Sequence, residues 1–324
     1  MNKRTLTLVW LSLLLWLPLL QGGSCIENLT RDKMVDMLVK PAFDTFLQEK
    51  DLGVAWQSIG GQLKLIEILL SKDQSNARRD HFQMLLCQGF ASYALLMEPT
   101  LGKLQLAAQN AKTMADKKVI DAQVERLQSR MRRLALRGRD HCFEILERKQ
   151  KGISEAAKFG KPLYTKWLKE KATKADVPTL FWAGFGWGYA LINGLEDTNL
   201  TAQIPQIKKL MHRIAELDSQ YFFGGGHIFL ATLYSQSKML GGDLKKAKAN
   251  FDAAYSKSDK SALIVHYYQA KFYMQQTNNT AGCKKLLKEV VNAKIKNKPN
   301  LNLMNAWSQA MARVAMMGVD DFCP

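Results

Sequence analysis

The chain has 324 residues and a formal net charge of +17, from 46 Lys and Arg against 29 Asp and Glu. That length supplies one large or two ordinary hydrophobic cores, so the fold does not depend on its few cysteines. The positive excess could mark a nucleic-acid binder, but Lys and Arg are spread along helix faces, as in LQSRMRRLALRGR (127–139), without arginine–glycine tracts.

The N-terminus indicates the compartment. Lys3 and Arg4 precede an apolar run, Leu6 to Leu20, then Gly22, Gly23, Ser24 and Cys25. A positive start, a short apolar core and small residues before a cut make residues 1–24 a secretory signal peptide. Pro18 and the glycines fit a cleaved signal better than an anchor, and no other stretch approaches the ~20 apolar residues of a bilayer span. Gly23-Ser24-Cys25 looks like the end of a bacterial lipobox, which makes Cys25 the expected site of lipid attachment. Gly22 stands where a lipobox usually has Leu, so a plain cut near Ser24 that leaves Cys25 unmodified is the alternative. Ile26 after a lipidated Cys25 would favour the outer membrane of a diderm bacterium. Outside the cytoplasm, nucleic acid is excluded as a natural partner. The excess charge is then a solvated lysine-rich surface, or attracts anionic ligands, an acidic protein or anionic lipid headgroups.

Residues 25–324 read as one all-helical domain. Good helix formers dominate and alternating strand patterns are nearly absent. GQLKLIEILLSK (61–72) carries Leu63, Ile66, Leu69 and Leu70 at helical spacing. The next helix is expected to start at Asn76 as N-cap and stop at Pro99. A long helical segment follows from about Leu101 to Lys149, with Gly138 as an expected break. PLYTKWLKEKA (162–172) comes next; Pro178 and Pro205 then suit the first turns of two later helices. Gly224 and Gly225 read as the end of the helix that contains Met211 to Tyr221. Gly241 and Gly242 end another, with Asp243 as N-cap of LKKAKANF. SALIVHYYQAKFYMQQT, CKKLLKEVV and NLMNAWSQAMARVAMM supply the closing helices. Besides Cys25, the cysteines Cys87, Cys142, Cys283 and Cys323 allow two disulfides in three connectivities. Cys283–Cys323 is the pair expected first.

A repeat runs through the pattern. The tetratricopeptide unit pairs a helix of form W-x2-L-G-x2-Y with one of form A-x3-F-x2-A. Trp182, Phe185, Gly186 and Tyr189 reproduce the first helix, and His227, Leu230, Ala231 and Tyr234 repeat it with substitutions. Ala247, Phe251 and Ala254 supply the second helix of that unit, and Leu86, Gly89, Phe90 and Tyr93 give a fainter copy. The expected fold is an all-α, tetratricopeptide-like array of helical hairpins.

In order along the chain, these segments resemble the T component (TatT) of tripartite ATP-independent periplasmic (TRAP) transporters, a tetratricopeptide-like periplasmic lipoprotein. Its V-P-x-L-x-W-x-G-x-x-W-G signature matches Val177, Pro178, Leu180, Trp182, Gly184, Trp187 and Gly188. RGRDHCFEIL (137–146), the aromatic-G-G-x-H run ending at His227, and the G-G-D-x-x-K-A run from Gly241 to Ala247 match as well. Gly226 departs from the Pro common in the family, which would leave that helix start looser. The resemblance implies an accessory, without catalytic activity, that engages the transporter's periplasmic solute-binding subunit. It also implies a homotrimer whose cavities join a central pore, and a small anionic or hydrophobic ligand.

No residue pattern points to an enzyme or a cofactor. The five His are scattered without an H-x3-H pair, the acids show no paired catalytic spacing, and G-x-S-x-G and Walker A patterns are missing. His227 therefore reads first as a packed repeat position. Trp182, Trp187 and Tyr189 read first as core, but aromatics alternating with glycines can also line an apolar cavity. Tyr93, Lys208, His227 and Tyr234 are the expected polar tips of such a cavity. The alternative function is an envelope scaffold of the same fold, serving outer-membrane assembly without a small-molecule ligand.

Overall fold

The computed structural model describes residue 33 and residues 41–72, 75–258, 261–295 and 298–324. The expected signal peptide, residues 1–24, and Cys25 lie outside the described residues. Contacts divide the chain at Thr45, and the larger unit, Phe46–Pro324, holds everything below.

The helices that build its array are α1 (Leu52–Lys72), α2 (Asn76–Leu96), α3 (Glu98–Gln109), α4 (Met114–Lys149), α5 (Pro162–Glu170), α6 (Val177–Ile192), α7 (Ile204–Leu217), α8 (Tyr221–Tyr234), α9 (Leu244–Lys257), α10 (Leu263–Tyr268), α11 (Thr280–Asn292) and α12 (Asn302–Met317), with short turns of helix at Ile153–Lys158, Thr198–Thr201 and Val319–Phe322. No strand occurs among the described residues, and no described helix is long and apolar enough to cross a membrane. Packing is mostly sequential: α1 on α2, α2 on α4, α4 on α6, α6 on α7, α7 on α8, α8 on α9. The array is a run of helical hairpins. Its last helix departs from that order, since α12 packs on α11 and α10 and then reaches back to α3 and α1. Two bonds make this closure: the Trp307 indole N–H donates to the Leu95 carbonyl at 3.1 Å, and Asn302 Nδ2 donates to the Gln48 carbonyl at 3.1 Å.

The helix boundaries follow local chemistry. Pro178 and Pro205 occupy first turns, where a missing N–H costs nothing. Asp243 caps α9 by accepting from Lys246 N at 3.1 Å. Ser75, not Asn76, is the N-cap position of α2. The expected long segment is two helices, because Thr113 caps a new one by accepting from Asp116 N. Gly138 breaks nothing: α4 runs through it, and the glycine lets α2 approach, since a Cβ there would lie 2.8 Å from the Cys87 carbonyl oxygen. Gly186 plays the same part on α6, where a Cβ would lie 2.7 Å from the Ala135 carbonyl oxygen of α4. Even a methyl there would force the helices apart, at about 1–3 kcal/mol.

Helix α7 ends at Leu217, earlier than the glycines suggest. Phe222 (φ 45°), Phe223 (φ 60°) and Gly224 (φ 77°) then run consecutively through the left-handed region before α8 straightens. For non-glycine residues this conformation costs roughly 1–2 kcal/mol each. Aromatic packing offsets it, the Phe222 ring lying 5.0 Å from Trp182 and 5.2 Å from Phe181. The repeat positions do what their chemistry predicts: Ala247, Phe251 and Ala254 are buried and close the α8–α9 hairpin.

Two disulfides brace the array. Cys283–Cys323 forms as expected, and Cys87–Cys142 joins α2 to α4. They close spans of 40 and 55 residues, each worth about 4 kcal/mol by the loop it removes from the unfolded chain.

Candidate functional site

Two polar assemblies stand out, one sunk into a cleft and one exposed.

The cleft, about 360 Å³, opens where α12 closes on α3. Glu98 begins α3, just before Pro99, and Lys271 comes from the far end of the chain. Lys271 sits in Gln269–Met274, where the helix widens to a π turn directly after α10. Such insertions re-aim side chains and recur at functional sites. The Lys271 ammonium meets Glu98 Oε1 at 2.8 Å, and the Tyr189 phenol donates to Glu98 Oε2 at 3.2 Å. Both charged side chains are largely buried, 25% exposed for Lys271 and 12% for Glu98. Burial pushes the Lys271 pKa down, but the adjacent Glu98 carboxylate outweighs it and the net direction is upward. Burial, reinforced by Glu98, raises Tyr189, Tyr267 and Tyr268 well above the usual phenol range, so all three stay protonated. Leu101, Met311 and Val314 form the apolar wall, and exposed Asp321 stands among the lining residues.

The exposed assembly spans α7, α8 and α9. Lys208 donates to the Gly241 carbonyl at 2.6 Å and holds its ammonium 4.9 Å from the Tyr234 ring centre. Lys246 lies 5.6 Å from the same ring and 3.5 Å from Asp243. His212 Nε2 is 2.8 Å from the Tyr234 phenol. His227 Nδ1 is 3.0 Å from Asn250 Oδ1. Burial and then Lys246 lower the Lys208 pKa. Burial is also the main influence lowering His212; Glu216 opposes it, and Lys246, Lys208 and His227 add to it. The sum is a positive surface that can receive an anion.

The structure does not place the seven expected cavity residues in one cavity. Lys208 and Tyr234 meet in the exposed assembly, with His227 on the same helix, α8. Tyr93 lies elsewhere, 5.0 Å from Trp56, and accepts from Arg130. Trp187 is core: its indole N–H donates to Gln203 Oε1 at 2.7 Å and its ring packs on Phe143. Trp182 packs edge-on against Phe222 and borders a void of about 10 Å³, room for a single water at most. Tyr189 braces Glu98. Sequence reasoning missed Glu98 and Lys271, although an acid just before Pro99 and a lysine beside paired tyrosines were visible. Among the described residues, no group of three or more His, Cys, Asp or Glu could hold a metal ion.

Fold and site together define an all-helical hairpin-array protein with a small cleft and an exposed basic face. The chain belongs to the TRAP transporter T-component family, whose family model matches residues 48–322. It is also 24% identical over 283 residues to an uncharacterized protein of Treponema pallidum (strain Nichols), covering 86% of this chain and 82% of that one. The family is one of accessory subunits of TRAP transport, which sets this chain's role in solute uptake at the cell envelope.

Proposed function

We propose that this protein is a periplasmic accessory held at the outer membrane by lipidated Cys25, and that it docks the solute-binding subunit of a TRAP transporter. The basic face formed by Lys208, His212 and Lys246 is the docking surface, and its partner carries a complementary acidic patch. The family match over residues 48–322 is the observation that carries this reading. The net charge of +17 supports it, because a strongly charged surface speeds encounter with an oppositely charged partner. The protein acts as a homotrimer, as the resemblance implies, and handles a small solute without catalysing a reaction.

Affinity capture from detergent-solubilised envelope tests the reading. A co-purifying TRAP solute-binding protein is the expected result. Recovery of outer-membrane assembly proteins in its place would favour the scaffold. Cys25→Ser should move the protein from the membrane to the soluble periplasmic fraction, and sedimentation of that soluble form should report a trimer.

A further inference from the structure

We infer that the Glu98–Lys271 cleft binds a small zwitterionic solute with an apolar side chain, its carboxylate on Lys271 and its ammonium on Glu98. The inference rests on reading the chain as a solute-handling accessory, and it names the class of solute. A volume of about 360 Å³ falls within the range of small-molecule sites.

The charge balance then selects among ligands. The cleft is lined by two carboxylates, Glu98 and Asp321, and one ammonium, Lys271, on a protein that is otherwise strongly basic. A simple carboxylate entering there would set three carboxylates around one ammonium, its charge lying beside the largely buried Glu98. A simple cation would bring a second positive charge against the largely buried Lys271. Either is costly, because like charges held close in a desolvated site repel strongly. A zwitterion adds one charge of each sign and leaves the Lys271–Glu98 pair closed. Its carboxylate accepts from Lys271, which spends one N–H on Glu98 and has two more, and its ammonium donates to Glu98. Leu101, Met311 and Val314 are left to cover an apolar side chain. A neutral polyol would leave the ion pair closed and gain little from that wall.

Calorimetric titration and thermal unfolding of the intact mature protein test this. The probes are leucine, methionine and phenylalanine, each beside its N-acetyl and its amide derivative. At least one free amino acid should bind, and its two derivatives should bind about 30-fold more weakly or worse. Gln105→Trp, at an exposed lining position, should abolish binding and leave the melting temperature unchanged. Glu98→Gln combined with Lys271→Met should also lose binding while staying folded. Equal or tighter binding of an N-acetyl form would make this an anion site and overturn the proposal. So would equal binding of an amide form, or no binding by any of the three amino acids. If nothing binds while the transporter subunit is captured, the zwitterion site falls and the accessory role stands. If an amino acid binds but capture fails, the reverse holds.

Discussion

The cleft and the basic face are both built from lysines beside tyrosines, yet they hold charge in opposite ways. In the cleft, Lys271 is largely buried and answered by the Glu98 carboxylate, which a phenol braces from behind. On the basic face, backbone carbonyls and the Tyr234 ring hold Lys208, and Lys246 has a 3.5 Å contact with Asp243 and lies 5.6 Å from the same ring. The first arrangement ties charge to folding, because a lost partner leaves a desolvated ion. The second leaves charge available to something outside the molecule. A buried ion pair and an exposed basic face differ in this respect more than in their residue types.

The largest expected effect lies at the cleft's edge. Cys323 adjoins the lining residues Asp321 and Phe322, and its bond to Cys283 anchors them. Replacing both Cys283 and Cys323 with Ser should cost up to about 4 kcal/mol in denaturant unfolding. It should weaken solute binding and leave partner capture intact; loss of capture as well would break the separation between the two regions. Next comes the ion pair itself. Glu98→Gln or Lys271→Met alone should destabilise by about 3 kcal/mol, and the double variant should recover most of that. If the double variant loses as much as the two singles together, the pair is not coupled as described.

Lys246→Glu should move unfolding by less than about 0.5 kcal/mol. It should weaken association with the acidic partner roughly tenfold at low salt, an effect that fades as salt rises. The smallest effect concerns His212. Its pKa lies below the ordinary 6.5, so it is largely neutral at pH 7 and gains its proton only as pH falls below that value. Partner affinity should therefore rise modestly between about pH 6.5 and 5, while the partner's carboxylates stay ionised. Folding stability should move the other way over that window, because a depressed histidine takes its proton more readily when unfolded. His212→Gln should remove both trends.

Much of the architecture was legible in the residues. Pro178, Pro205 and Asp243 marked helix starts because each acts on its own turn, and Ala247, Phe251 and Ala254 declared a packed hairpin. Cys283 and Cys323 were placed correctly by the helices they flank. The misreadings share a cause. Gly138 and the Gly224–Gly225 pair read as punctuation, but Gly138 serves the close approach of α2 at Cys87. The left-handed turn begins at two phenylalanines, which local propensity disfavours. Trp182 and Trp187 could be named as core or cavity, but only packing decides between the two. The cleft was hidden most completely, because Glu98 and Lys271 are 173 residues apart and meet only in the folded chain.

That return changes how the protein must be made. A pure hairpin array can form as its chain emerges, each unit resting on the one before. Here the Leu95 carbonyl awaits the Trp307 indole, 212 positions later. As the chain folds, the N-terminal helices must stay in solution with an open flank until the C-terminal segment arrives. Contacts between distant parts of a chain slow folding and prolong exposure of apolar surface. Removing α12 would therefore do more than shorten the array by one unit. It would strip a wall from the cleft and leave the α12-facing sides of α1 and α3 uncovered.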